Sequence, residues 1–456
     1  MMKYLISAVL LFFAITFAPA QAKKWTLQEC VEYAVENNIS VEQFELDLAN
    51  AMIDKSDAVG DFLPTLNANT SFSSNTGFSI NPTTNLPTNT TQNNLNAGVT
   101  TAVTLFDGLR NIHRLNRAKL NTIANEYRLE DLKDDIRLQV ATAYLQILSN
   151  KETLNVARAQ YKATEQDLDR IKELVDSGVV PRGDLLDIEA TAASQRQQII
   201  NAEGNVRISK IGLAQLLQIR DYENFDVSDE TFDIPVTNIL NNTPNTIFAK
   251  ALEFRNDIKL SESNIDVAEK DLAISKGALL PTIGAFFNYG TRYSDVAQIP
   301  GPPITSGGPP TFFTPSFTDQ LWIFDGISYG VQLNVPIFNG FSVKNGIERS
   351  EIAVEQQKLQ LEQQKLNLEN EINQAYVNAN VSYESYEASE KTLEARRLAY
   401  QYAKERFDVG LLNAFDFTQA QARVDNAEAE VVRTKYDYIF RLKILEFYFG
   451  IPISLD

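Results

Sequence analysis

Four stretches of the chain alternate apolar and polar residues with a period of two. They cover about residues 66–75, 95–106, 282–293 and 327–338. This alternation predicts β-strands with one apolar and one polar face. Each stretch also has the length of a tilted strand that crosses a bilayer. A soluble antiparallel sheet with one buried face would give the same alternation, so lipid contact is the favoured of two interpretations.

Each pair of alternating stretches brackets a segment of different composition. Thr76–Asn94 is rich in Asn and Thr, and Ser294–Gly326 contains Pro-Gly-Pro-Pro and Gly-Gly-Pro-Pro. We expect that neither segment is regular structure throughout. Long loops at one end of membrane strands are typical of the external side of an outer-membrane barrel.

Long helical segments follow the second and the fourth strand. They are predicted at about 109–177 and 341–409, and each turns at a glycine, Gly178 or Gly410, before a second helix returns. At 1.5 Å per residue they reach roughly 95–105 Å, a length that implies coiled-coil packing.

Shorter helices are predicted before the strand pairs. Leu27–Val59 and the segment from about Phe248 to Lys276 show helical periodicity. Pro64 and Pro281 then end them, because the proline ring favours extended structure in the residue before it.

The second half of the chain repeats the first. Gly98-Val99 recurs as Gly330-Val331 at an offset of 232 residues, and the same offset relates Gly178 to Gly410. A repeat of this length is an internal duplication and not a solenoid of short units. The predicted organisation is a first structural repeat at 23–220, an equatorial connection at 221–244 and a second structural repeat at 245–456.

The N-terminal residues have the features of a secretory signal. Lys3 precedes a short apolar stretch, Leu5–Phe17, and Ala20-Gln21-Ala22 forms a small-x-small cleavage site. We therefore expect a signal peptide at 1–22, with a retained anchor as the alternative. No later segment has about 18 consecutive apolar residues, so any membrane span must consist of strands.

The composition of the chain argues against several classes of ligand and activity. The formal net charge is −18 and the pI is near 4.7, which argues against a nucleic-acid partner, since phosphate binding needs Lys and Arg clusters. The sequence has one Cys, Cys30, and one His, His113, too few for a zinc site. No catalytic constellation or phosphate-binding glycine motif occurs. We therefore expect neither an enzyme nor a cofactor.

Four strands cannot close a barrel. An open sheet in lipid leaves edge N–H and C=O groups unpaired at several kcal/mol each, so copies of the chain must combine. Two copies supply eight strands, which enclose little more than their own side chains. Small or polar positions on the third stretch (Gly284, Asn288 and Gly290) suit a wet lumen. Three copies and a conduit are predicted, with a non-conducting surface coiled-coil scaffold or adhesin as the alternative.

Several short motifs carry a family resemblance. They are Gly60-x-x-x-Pro64, Gly277-x-x-x-Pro281, Pro336-Ile-Phe-Asn-Gly340, Val409-Gly410-x5-Asp416 and Phe449-Gly450-Ile451-Pro452. With the repeat order, they make the mature chain resemble the TolC-type outer-membrane efflux protein family, the outer membrane factors. The resemblance implies a mixed α/β, mostly α-helical membrane protein. Its trimer would form a 12-stranded outer-membrane β-barrel continued by an α-helical coiled-coil periplasmic barrel.

The resemblance also implies a function and partners. The function is the exit duct of a tripartite efflux or type I secretion system, a passive channel in the cell outer membrane that extends into the periplasm. The implied partners are two further copies of the chain, a periplasmic adaptor protein, an inner-membrane RND or ABC transporter and outer-membrane lipid.

Similar proteins carry constriction and gating residues at the periplasmic helix turns. The first constriction Asp aligns with Asp416, and the second falls on Gln419. The gating Arg falls on Leu412 and the gating Tyr on Phe407, while Asp184 aligns with the tip Asp of the first repeat. The alternative role for both Asp residues is a helix N-cap after a turn. With these departures, we expect closure held more by apolar packing than by ion pairs.

Overall fold

The structure is a computed structural model. The predicted signal peptide at 1–22 lies outside the described residues, as does much of the equatorial connection. Among the described residues, no helix combines the length and apolar character needed to cross a membrane. The described residues are 23–80, 85–228, 239–304, 308 and 310–451.

The strands of the described chain form one four-stranded antiparallel sheet, with order β2-β3-β5-β8, and two small two-stranded pairs, β1-β4 and β6-β7. Each of the four alternating stretches of the sequence contributes one strand to the large sheet. The bounds are β1 (Lys24–Trp25), β2 (Thr65–Ile80), β3 (Pro87–Phe106), β4 (Asp226–Val227), β5 (Thr282–Ser294), β6 (Ile299–Gly301), β7 (Thr311–Phe313) and β8 (Gly326–Asn334).

Three of the predicted strand boundaries are wrong: the end of β2, the start of β3 and the end of β8. The strands were predicted to end near 75 and to resume near 95, but β2 and β3 continue as a ladder through most of Thr76–Asn94. The hydroxyls of Thr76 and Thr91 lie 3.1 Å apart across the pair. Thr is β-branched and suits a strand, which the Asn content of the segment concealed. At the other end of the sheet, β8 stops at Asn334, because Pro336 has no N–H to donate to a ladder.

Helices make up most of the remaining structure. The predicted irregular segment Ser294–Gly326 contains one of them, a short helix with Ser316 as its N-cap. The helix bounds are α1 (Leu27–Asn37), α2 (Ile39–Gly60), α3 (Arg110–Asp176), α4 (Arg182–Leu216), α5 (Pro244–Phe254), α6 (Asn256–Gly277), α7 (Phe317–Ile323), α8 (Ser342–Asp408) and α9 (Ala414–Phe449).

The duplication is visible in the long helices. α3 and α8 each contain 67 residues, about 100 Å of helix. Both end at a glycine with positive φ, +73° at Gly178 and +75° at Gly410, a conformation that favours glycine at a helix C-terminus. The returning helices α4 and α9 contain 35 and 36 residues. The two halves therefore share element lengths as well as motifs.

The two shorter predicted helices are each broken once. At Asn38 the backbone is extended, and its side-chain oxygen accepts the N–H of Ser40 at 2.8 Å, which caps α2. At Arg255 the backbone leaves the helical region, and the side chain donates to Asp257 at 2.9 Å. Local polar side chains thus offer the backbone an alternative to one continuous helix.

The described chain divides into two compact units. One comprises Leu48–Asn125 and Ser261–Gln360 and contains the four-stranded sheet. The other contains the helical turns and a core of side chains from α5, α6, α8 and α9. The largest fully buried members of that core are Ile247, Ile258, Leu368, Ile372, Leu442 and Leu445.

The connection between the repeats is partly buried. Phe225 and Val227 are buried, and β4 pairs with β1. The carboxylate of Asp226 is 2.8 Å from the ammonium groups of both Lys151 and Lys210. This double ion pair fixes the start of the connection to α3 and α4. Residues 229–238 lie outside the described part.

Candidate functional site

The register of the sheet brings apolar positions of different strands into continuous rows. Val99 pairs with Ala68 on one side and with Tyr289 on the other, and Tyr289 pairs with Ile327. The next row in the same parity is Leu66, Thr101, Phe287 and Tyr329. Residues directly opposite in neighbouring strands project from the same face of the sheet. One face is therefore an apolar band, as the period-two pattern predicted.

The other face is polar and rich in small residues. Its rows are Asn69, Gly98, Gly290 and Gly326, and then Asn67, Thr100, Asn288 and Ser328. Both faces of β8 are exposed in the single chain. A sheet with one apolar and one polar face is suited to separating lipid from water.

Two glycines on the polar face are less tolerant than their parity suggests. A Cβ on Gly98 would lie 3.0 Å from the carbonyl oxygen of Tyr289, and one on Gly330 would lie 3.0 Å from the ring of Phe286. The structure gives each a local steric reason to remain small.

The two outer strands of the sheet, β2 and β8, each have one edge without a strand partner in the described part of the chain. Unpaired edges are costly in lipid and prone to pairing with another chain. The sheet is therefore incomplete as a membrane structure until its edges meet other edges.

The helical turns of the other unit hold the residues that the resemblance selected. Asp184 and Asp416 are the third residues of α4 and α9, so the N-cap alternative is wrong: the N-caps are Pro181 and Asn413. Asn413 accepts the N–H of Asp416 at 2.8 Å and donates its side-chain amide to the Asp416 carboxylate at 3.1 Å. A carboxylate in the first turn is stabilised by the partial positive charge of the helix N-terminus.

The side chains at these turns differ in exposure. Asp416 and Gln419 are exposed and Asp184 is half-buried. The side-chain oxygen of Gln419 accepts from Arg423 at 3.1 Å. Phe407, by contrast, is only 9% exposed.

Phe407 belongs to an apolar group that we call the tip cluster. It joins all four helices at the two turns, and the half-buried Leu412 packs against it. Phe407 and Phe417 stack with ring centroids 4.6 Å apart and planes at 8°. The members of the tip cluster are Ile171, Ile188, Phe407, Ala414 and Phe417.

Polar contacts join the two helical hairpins beside the tip cluster. Arg170 of α3 meets Asp408 of α8 at 2.6 Å. Gln195 of α4 donates to the Asp425 carboxylate of α9 at 2.7 Å, and the buried side chain of Gln421 donates to the Thr164 hydroxyl at 2.8 Å. Sequence reasoning missed all of these residues, which resemble ordinary solvated helix positions. The available signal was the occurrence of Gln and Thr at helical spacings that face the partner hairpin.

Burial changes the titration of two carboxyl groups near these contacts. It raises the pKa of Asp425 to about 6 from an ordinary value of 3.8, against the opposing effect of the Gln195 hydrogen bond. It also raises the pKa of Asp167, although Lys404 and Arg170 oppose the shift. Protonation of Asp425 near neutral pH would therefore alter the contact between the hairpins.

Comparison with known proteins matches these features to a family. Residues 33–217 and 247–450 match the family model of the outer membrane efflux protein. The chain belongs to the outer membrane efflux protein family. The match covers both repeats, so it confirms the resemblance seen in the sequence and identifies an outer-membrane protein.

Curated relatives of the chain are distant in sequence. TolC of Vibrio cholerae serotype O1 is 22% identical over 311 residues, which cover 66% of this chain and 64% of that protein. The alkaline protease secretion protein AprF of Pseudomonas aeruginosa is 20% identical over 75% of this chain and 67% of its own length. The chain thus spans slightly less than two thirds of the Vibrio relative.

Solved structures share the fold over nearly the whole chain. The Campylobacter jejuni CmeC outer membrane channel has a TM-score of 0.77 at 18% identity, covering 94% of this chain and 86% of that one. VceC of Vibrio cholerae has a TM-score of 0.76 at 14% identity, covering 94% and 97%. The fold is therefore that of the outer-membrane channels: mixed α/β, mostly helical and internally duplicated.

Proposed function

We propose that the chain forms, as a homotrimer, the outer-membrane exit duct of a tripartite efflux or type I secretion system. The observation that carries this proposal is the four-stranded sheet with an apolar face, a polar face and two free edges. Edge-to-edge closure of three sheets gives a 12-stranded barrel with the apolar bands toward lipid and the polar faces toward a lumen.

Exposed apolar side chains on the long helices support side-by-side assembly. In the unit that holds the turns, α4 exposes Leu186, Ile200 and Ile208, and α8 exposes Val377, Val381 and Leu398. Scattered single residues would need no explanation, but a row along each helix favours contact with a neighbouring helix. Three copies would then place twelve helical segments around one axis as a periplasmic barrel.

The proposal extends to domains and to the turn residues. Residues 1–22 are a cleaved signal peptide, 23–220 and 245–456 are the two structural repeats, and 221–244 form an equatorial connection. Asp416 and Asp184 line the periplasmic end of the duct, with Gln419 nearby. Phe407 and Leu412 control opening through the tip cluster.

A passive duct needs a source of driving force. We propose a periplasmic adaptor and an inner-membrane RND or ABC transporter as the partners that supply substrate, with no nucleic acid and no cofactor involved. Solved structures with this fold include outer membrane channels, and the chain is proposed to conduct without catalysis. A non-conducting surface scaffold or adhesin, the alternative, would not need a polar, glycine-rich face opposite an apolar one.

Two measurements test the duct. Chemical crosslinking of the detergent-solubilised protein should stop at three chains, and the purified protein in a planar bilayer should give discrete ion conductance. A stable monomer with the same fold, or a trimer that never conducts under any applied voltage, would refute the proposal. Copurification of an adaptor and a pump tests the partners separately.

A further inference from the structure

Helix α7 is fixed to the end of a membrane strand and is not a loosely held loop. The last pair between β5 and β8 is Gly290 with Gly326, so β5 continues four residues beyond its partner. Gln320, fully buried at 0% exposure, fills this gap. Its side-chain oxygen accepts the N–H of Ser294 at 2.9 Å, and its amide donates to the carbonyl of Pro315 at 3.0 Å.

The contacts of α7 assign it to one face of the sheet. The ring of Phe317 lies edge-on to Tyr293 with centroids 5.0 Å apart, and the Thr291 hydroxyl donates to the carbonyl of Leu321 at 2.7 Å. Tyr293 and Thr291 share the parity of Tyr289, which belongs to the apolar band. Helix α7 therefore lies on the apolar side, at the end where β5 leaves the ladder.

The outward side of α7 extends that band with aromatic surface. Trp322 is 75% exposed, and Phe317 and Ile323 are each nearly half exposed. The adjacent strand residues Ile327 and Tyr329 are exposed in the same way. Tryptophan is enriched where a bilayer meets water, because its large ring is apolar and its N–H can still find a polar partner.

We propose that α7 is an interfacial anchor, with Trp322, Phe317 and Ile323 seated in the headgroup region of the lipid leaflet that borders this end of the sheet. The inference rests on the proposed function, in which the apolar band faces lipid. A second copy of the chain would join through the hydrogen-bonding edges of β2 and β8, which leaves the apolar face to lipid. The rigid attachment through Gln320 sets the depth at which the anchor lies.

The two tryptophans of the chain make the test direct. In a Trp25→Phe variant, Trp322 is the only remaining tryptophan. The protein is reconstituted into phosphatidylcholine vesicles brominated either near the glycerol end or near the methyl end of the acyl chains. We expect the fluorescence emission of Trp322 to be blue-shifted. Bromine near the glycerol end should quench this fluorescence more than bromine near the methyl end, and aqueous iodide should quench it little.

Other quenching patterns would overturn the anchor. If iodide quenched the fluorescence strongly and bromine did not quench it, Trp322 would lie in water. Protection from both quenchers would mean that protein covers it. Greater loss to bromine near the methyl end would mean that α7 lies deep in the hydrocarbon and is not interfacial.

A matched control separates the anchor from the duct itself. Tyr329→Trp, combined with Trp25→Phe and Trp322→Phe, places the only tryptophan on the apolar band of β8. Bromine should quench this variant in both vesicle types. If the control is quenched and Trp322 is not, only the anchor fails. If neither is quenched, the membrane position of the sheet fails with it.

Discussion

The guanidinium of Arg170 and the carboxylate of Asp408 meet at 2.6 Å, and the same guanidinium lies 5.7 Å from the ring centre of Phe407. This pair joins the first repeat to the second at the helical turns. Its side chains are 37% and 38% exposed, so the ion pair contributes about 0.2–1 kcal/mol. The stacked rings beneath it are buried and contribute more.

Phe407→Ala should therefore loosen the turns more than Asp408→Asn does. Removing a buried phenylalanine costs about 3–5 kcal/mol of stability. Removing the exposed ion pair costs only about 0.2–1 kcal/mol. Hydrogen exchange of amides in 400–420 should accelerate strongly for the first variant and weakly for the second. In single-channel recordings, Phe407→Ala and Leu412→Ser should raise the open fraction more than Asp416→Ala. If exchange accelerated equally in both variants, the ion pair would stabilise the turns as much as the ring packing does.

Asp416→Ala should lower the cation selectivity of the channel and weaken block by multivalent cations. In a trimer the exposed carboxylate repeats around the axis, and clustered acid in a narrow entrance attracts cations. Asn413→Ala is the matched control, because it removes the helix cap, at about 1 kcal/mol, and keeps the carboxylate. If both variants change selectivity equally, the residue acts through the helix terminus and not through a charged ring.

Val99→Lys should reduce the yield of assembled protein far more than Thr100→Lys. The two residues are neighbours in β3, but Val99 lies in the apolar band and Thr100 on the polar face. Lysine on the lipid side costs about 2–4 kcal/mol near the bilayer midplane. The heat-stable oligomer band on a gel measures assembly. Similar yields for both variants would contradict the face assignment.

Tags inserted after Asn85 and after Gly308 should react with an impermeant reagent on intact cells. Both positions lie at the same end of the sheet, between β2 and β3 and between β5 and β8. The β5–β8 connection is long, and long connections of outer-membrane barrels are external. The short β2–β3 turn lies at the same end of the sheet and should therefore be external too. A tag in the exposed turn at Val179 is the control, and it should react only after the outer membrane is disrupted. The reverse pattern would invert the topology.

The contact between the hairpins should weaken as pH rises. The folded pKa of Asp425, about 6, exceeds its ordinary value of 3.8. A raised pKa means that the fold binds the proton more tightly than the unfolded chain does, so this stabilisation is complete below pH 3.8 and lost as pH passes 6. Asp425→Asn should keep the acceptor for Gln195 and remove this part of the pH dependence. Calorimetric unfolding midpoints at pH 5 and pH 8 measure it, and an unchanged difference would exclude Asp425.

Much of the fold could be predicted because the patterns that encode it are local and repeated. Strand parity predicted the apolar band. Helix α3 contains no glycine or proline, α8 contains only Gly346 near its start, and the equal length of the two helices follows from the duplication. Helix boundaries were predicted wrongly where the hydrogen bonds of a single polar side chain determine the backbone conformation, as at Asn38 and Arg255. The β2–β3 ladder beyond Thr76 was not predicted, because Asn-rich segments favour turns in isolation.

The turn residues were harder to predict. The resemblance located Phe407 by alignment, but its stacking on Phe417 depends on how two hairpins pack. The bond between Gln195 and Asp425 joins residues 230 positions apart, and each alone resembles a solvated helix position. Such contacts follow from tertiary packing, which helical periodicity in the sequence does not reveal.

The pairing of β3 with β5 has a consequence for assembly. Asn94 pairs with Ser294, so the middle of the sheet joins residues about two hundred positions apart in the chain. Contacts of such separation form late, because the intervening chain must be ordered first. The β2–β3 hairpin therefore keeps one open edge until β5, which follows α3, α4, α5 and α6 in the chain, pairs with it. Neither repeat can complete the sheet alone, so the strands of both halves must come together before the sheet is whole.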